Sequence, residues 1–103
     1  MKIIERLSEM IAEEIEDAEK YAKCALNHKG ENTMLSDLFY SLSLEEMNHM
    51  NKLHNAVVTI IQDYRNTKGE PPASMLAVYD YLHKKQIDHA AEVKAMQSMY
   101  RDQ

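Results

Sequence analysis

The sequence predicts an all-α domain, and three observations carry that expectation. Gly and Pro are scarce, with two of each in 103 residues. A β-sandwich or barrel needs a turn about every 8–12 residues, which this composition cannot supply. The surplus residues are helix formers: eight Met, with abundant Glu, Ala, Leu and Lys. Every Gly and Pro falls in one of two short stretches, 28–32 and 66–74, and the segments between them carry apolar residues at steps of three and four. The expected helices run over about 3–28, 33–65 and 74–101, within a single domain spanning residues 1–103.

The first helix has its stripe at Ile4, Leu7, Ile11, Ile15, Ala18, Ala22 and Ala25. Acids crowd its first half and bases its second, an order that suits the helix dipole. Glu16–Lys20 and Glu19–Lys23 have the spacing of favourable pairs one turn apart. Gly30 is the expected stop.

The second helix starts after Asn32, a good N-cap residue. Its expected buried stripe is Leu35, Leu38, Leu42, Glu46, His49, Leu53, Ala56, Ile60 and Tyr64. Phe39, Met50, Val57 and Ile61 form a second row, so the helix is expected to be covered on more than one side. Its length, about 50 Å at 1.5 Å per residue, exceeds what one compact chain of this size covers. The expectation is a homo-oligomer, at least a dimer.

The third helix follows Ser74, another N-cap candidate. Its stripe is Met75, Tyr79, Leu82, Gln86, Ala90, Val93, Met96 and Tyr100. It is less apolar than the second, as suits an outer or partner-facing helix.

Lys plus Arg number 12 and Asp plus Glu 17, for a net charge of −5. That balance argues against nucleic-acid binding, which needs a positive field. The N-terminal segment is charged throughout, unlike a signal peptide. The longest apolar run, 56–61, is far short of a membrane span. The lone Cys24 allows neither an internal disulfide nor a four-cysteine metal centre. A soluble, cytoplasmic protein is expected.

Chemistry enters where the expected stripe contradicts itself. Glu46 and His49 stand among apolar residues, one turn apart on one face. A buried carboxylate must be paired, protonated or bound to a metal. The spacing alone means little: with 17 acids and five His, fewer than one acid three residues before a His is expected by chance, and Glu46/His49 and Asp80/His83 both occur. Position on the stripe separates the first pair from background. Glu14 borders the stripe of the first helix, and Tyr21 lies two turns on along the same side.

These residues resemble the rubrerythrin/ferritin-like family of di-iron carboxylate proteins. The Glu-x6-Tyr of that family is matched by Glu14 and Tyr21 in EIEDAEKY, and its Glu-x-x-His by Glu46-Met47-Asn48-His49. Phe39, seven residues before Glu46, matches as well, and the resemblance covers residues 8–56. It implies a ferritin-like antiparallel hairpin plus a third helix. The family's four-helix site takes a Glu from each of two helices and Glu-x-x-His from each of two others. This chain carries one of each. The resemblance therefore implies a four-helix core completed by homodimerisation, with Glu14, Glu46 and His49 of each copy as ligands. The implied cofactor is iron, two ions per dimer, with Mn or Zn also suited to such donors. Tyr21 takes the place of a catalytic-site hydrogen-bond donor that holds a carboxylate. The implied activity is iron oxidation or peroxide reduction, with dioxygen or peroxide as substrate. The cysteine-rich electron-donor module of rubrerythrins has no counterpart around Cys24, which favours iron handling.

The chain departs from the family at Met47, Asn48 and Met50, and the family's second half is missing. Those departures favour the alternative, a metal-free helical oligomer acting as scaffold or adaptor. Asp80/His83 and His89/Glu92 are weaker ligand candidates. Glu45, His28 and His54 are expected to face solvent, and Cys24 to pack as a small apolar residue.

Overall fold

The computed structural model describes residues 2–102, and they form three helices: α1 (Lys2–His28), α2 (Thr33–Lys68) and α3 (Ala73–Asp102). No strand occurs among the described residues. The boundaries agree with the sequence expectation to within three residues at every end.

The stops and starts have local causes. Gly30 and Gly69 have φ of 88° and 89°, a region that residues with a Cβ rarely adopt. Asn32 caps α2, its side chain accepting from the Leu35 N–H at 3.0 Å. Ser74 does not cap α3. The Pro72 carbonyl accepts from the Met75 and Leu76 N–H groups, so the cap position falls on Pro72 and Ser74 lies inside the first turn. Proline serves there because its missing N–H would have no partner at a helix start.

α1 and α2 form an antiparallel hairpin. Ser43 Oγ donates to the Ala18 carbonyl at 2.7 Å, His49 meets Glu14, and the Phe39 ring meets Tyr21. Small residues line this seam: Ala18, Ala22 and Ala25 on α1, Ser36 and Ser43 on α2, all buried. α3 runs back along the hairpin, parallel to α1, and packs chiefly on it. It is tied on by polar side chains. Gln86 Nε2 donates to the Ser8 carbonyl at 3.0 Å, and Gln97 Nε2 to Ser43 Oγ at 2.8 Å. The Tyr100 hydroxyl donates to the Asp37 carboxylate and lies 3.1 Å from Ser36 Oγ.

The core contains Ile4, Ile11, Ile15 and Ala18 of α1, Met47, Val57 and Ile61 of α2, and Ala90 and Val93 of α3. The α1 stripe is buried as its periodicity predicts, save that Ser8 is buried and Leu7 only half-buried. The α2 stripe is not. Its buried line is Ser36, Ser43, Met47, Val57 and Ile61, one residue on from the expected row. That is a turn of about 100° around the helix. That line faces α1, where Ser43 meets Ala18, and α3 reaches it through Gln97 at Ser43 and Tyr100 at Ser36. The row through Leu35, Leu42, Leu53 and Ile60 is left half-buried on the other side, and Leu38 is exposed.

The chain is elongated, 55 × 20 × 18 Å, with a radius of gyration of 16.5 Å. A compact chain of about 100 residues has about 13 Å. No helix of the described residues is long and apolar enough to cross a membrane.

Candidate metal centre

Helical periodicity brings Glu14 to the α2 side of α1, and the same geometry puts Glu46 and His49 one turn apart opposite it. His49 Nδ1 lies 3.4 Å from Glu14 Oε2 and 3.9 Å from Glu46 Oε1. One ligand atom from each of the three residues falls within 4.8 Å of the other two, and no other set of three or more such residues does so among the described residues.

The cluster sits at the edge of the hairpin seam. Side-chain exposure is 19% for Glu46, 26% for Glu14 and 53% for His49. This corrects the expectation that Glu46 and His49 stand at the centre of a buried stripe: they belong to a row that is only half-buried. One atom of the cluster is nonetheless fully buried. Glu14 Oε2 is shielded from solvent and accepts no hydrogen bond. The His49 nitrogen is close to it but not aligned to donate.

Two carboxyl groups this close cannot both ionise freely. The Glu46 carboxyl is pushed up to about 7, first by its hydrogen bond with Glu14, then by burial and by repulsion from the Glu14 charge. His49 opposes that rise and Asp17 adds to it. Carboxylate oxygens and an imidazole nitrogen are the donor set of Fe, Mn and Zn sites. The buried, unbonded Glu14 oxygen and this donor set fit a metal ion. Three donors leave any such ion short of ligands, so a complete site needs groups from elsewhere.

Tyr21 lies on the same side of α1, half-buried, with its ring stacked on Phe39 at 6.3 Å. Its hydroxyl makes no hydrogen bond to the cluster among the described residues. Phe39 also stacks on His28 at 5.8 Å, so His28 is half-buried and not solvent-facing as expected. Cys24 is half-buried and free. Glu45 is exposed, as expected from its place on the helix.

The other candidate ligands are held in different contacts. His89 Nε2 lies 2.6 Å from Glu19 Oε2, tying α3 to α1 while Glu92 faces solvent. That contact, with Lys23 beside it, holds the Glu19 carboxyl below its ordinary value. Asp80 is exposed, and His83 stacks between His54 at 4.7 Å and Tyr79 at 5.5 Å. His54 is therefore packed, contrary to expectation, and burial followed by the His83 charge lowers its pKa. Sequence reasoning missed this ring stack. The separation of 54 and 83 says nothing about contact until α3 folds back on α2.

No family model matches the chain, nor does any curated protein or solved structure.

Proposed function

We propose that this chain is a ferritin-like di-iron carboxylate protein whose metal centre is completed by a second copy. The observation that carries the reading is the convergence of Glu14 with Glu46 and His49 around a buried carboxylate oxygen that nothing satisfies. Leaving such an oxygen unpaired costs on the order of 1–3 kcal/mol or more, and a cation removes that cost.

Glu14, Glu46 and His49 are the residues that hold the metal. A pair of copies offers four carboxylates and two imidazoles, the full donor set of a di-iron centre. Bound iron supplies one-electron chemistry toward dioxygen or peroxide, and the activity proposed is ferroxidase or peroxide-reducing. The chain's own contribution is to fix three donors on two helices braced by the Ala/Ser seam. His49 closes the solvent side, and Tyr21 with Phe39 forms an aromatic wall one to two turns along.

The half-open apolar row on α2 supports the second copy. Leu35, Leu42, Leu53 and Ile60 run along the same side as Glu46 and His49 and are only half-buried. The rival reading, a metal-free helical oligomer, draws on the 53% exposure of the His49 side chain.

The deciding experiment loads purified protein anaerobically with Fe(II), removes loose metal and measures bound metal by mass spectrometry. The expected result is about one ion per chain, lost in Glu14→Gln and Glu46→Gln. The same load on the variants, or none on the parent with Fe, Mn or Zn, overturns the proposal in favour of the scaffold.

A further inference from the structure

α3 packs on α1 and only grazes α2, and where it parts from α2 a groove of about 330 Å³ opens. That volume lies at the lower end of the range for small-molecule sites. Its apolar surface comes from all three helices, with Ile11, Met50, Ile87 and Ala90 among the lining residues. It shares no residue with the Glu14–Glu46–His49 cluster.

The polar lining is one-sided. His54, His83, Asn51, Gln86 and Lys94 line the groove, and no acidic side chain does, in a chain with 17 acids. Asp80, Asp88 and Glu92 of α3 all fall outside it. Lys94 has neither an ion-pair nor a hydrogen-bond partner among the described residues. One N–H of Gln86 goes to the Ser8 carbonyl, which fixes its amide in place. His54 and His83 are held flat against each other. An apolar trough with a free ammonium and fixed polar groups, cleared of carboxylates, selects by charge as well as by shape.

We propose that this groove binds a small organic carboxylate with a flat apolar body, its charge paired with Lys94 and its body lying along Ile11, Met50 and Ile87.

The test uses the full chain in EDTA, so the result does not depend on the metal reading. Naphthalene-2-carboxylate is titrated in while the histidine ring and backbone resonances are followed by NMR. Saturable shifts are expected at His54, His83 and Lys94, with those of His28 and His49 unmoved. Naphthalene-2-methanol, the uncharged analogue, is expected to bind at least tenfold more weakly. Lys94→Glu, an exposed position, is expected to weaken the acid at least tenfold and to leave the alcohol unchanged. Ala91→Trp fills the groove and is expected to abolish both. Equal binding of acid and alcohol, an unchanged affinity in Lys94→Glu, or no saturable shift overturns the proposal. So does protection of the groove residues by a second copy of the chain.

Discussion

A carboxylate oxygen that is buried and accepts nothing, Glu14 Oε2, is the least expected atom in the molecule. Native structures satisfy most buried polar atoms, so one that is left over calls for a partner. His54 makes a second residue-scale case, and here the consequence is a pH dependence. Unfolded, it binds a proton near pH 6.5. Folded, burial and the neighbouring His83 hold its pKa below that. The other group in its ring stack, Tyr79, is neutral in this range, its own pKa raised by burial. Between the two values the unfolded chain binds more protons, so acid favours unfolding there. The stabilisation is full above about pH 6.5 and drains away as pH falls through the folded value. Thermal melts of parent and His54→Phe between about pH 7.5 and 5 check this. Phe keeps a ring in the stack and removes the titration, so the parent's fall in midpoint with acid should be steeper. Equal slopes would show that His54 is not responsible.

At the scale of elements, α1 was legible almost residue for residue because it has one apolar face and one polar face. α2 was not, because it has apolar rows on two sides, and periodicity cannot say which of them α3 will cover. Choosing the Leu35–Tyr64 row placed Glu46 and His49 in the core, whereas they stand at its edge. The convergence of Glu14 with that pair was expected from the resemblance of the Glu-x6-Tyr and Glu-x-x-His motifs, and it does not depend on depth. The His54–His83 stack and the groove were not readable, since they arise only from the angle at which α3 returns. That return passes through the segment after Gly69, whose φ of 89° and ψ of −164° belong to a region open essentially to glycine alone. Open space surrounds the position, so an added Cβ meets no neighbour. Gly69→Ala therefore tests backbone strain by itself. It is expected to lower unfolding stability in urea by about 1–3 kcal/mol. A change near zero would mean that the turn relaxes freely and does not set the path of α3.

At the scale of the whole molecule, a 55 Å rod only 20 Å thick leaves one long side of its hairpin poorly covered. Leu38, 52% exposed, lies on that side, in line with the half-buried Leu35 and Leu42. Pairing two hairpins by a two-fold axis would bury both rows and bring two three-donor clusters together, and closed symmetric pairing is the commonest way that chains associate. If ligands to one metal pair come from two copies, loading and association are linked, because each stabilises the state the other needs. Sedimentation of the metal-loaded protein should therefore give at least twice the 12.0 kDa chain mass. Chelation should move the equilibrium toward single chains. Leu38→Asp puts a charge on the row without touching Glu14, Glu46 or His49, so its helicity should be retained. It should dissociate the assembly and weaken metal retention with it. A metal-loaded protein that sediments as a single chain would show that the three donors act alone. An assembly indifferent to both Leu38→Asp and chelation would place its interface on another face.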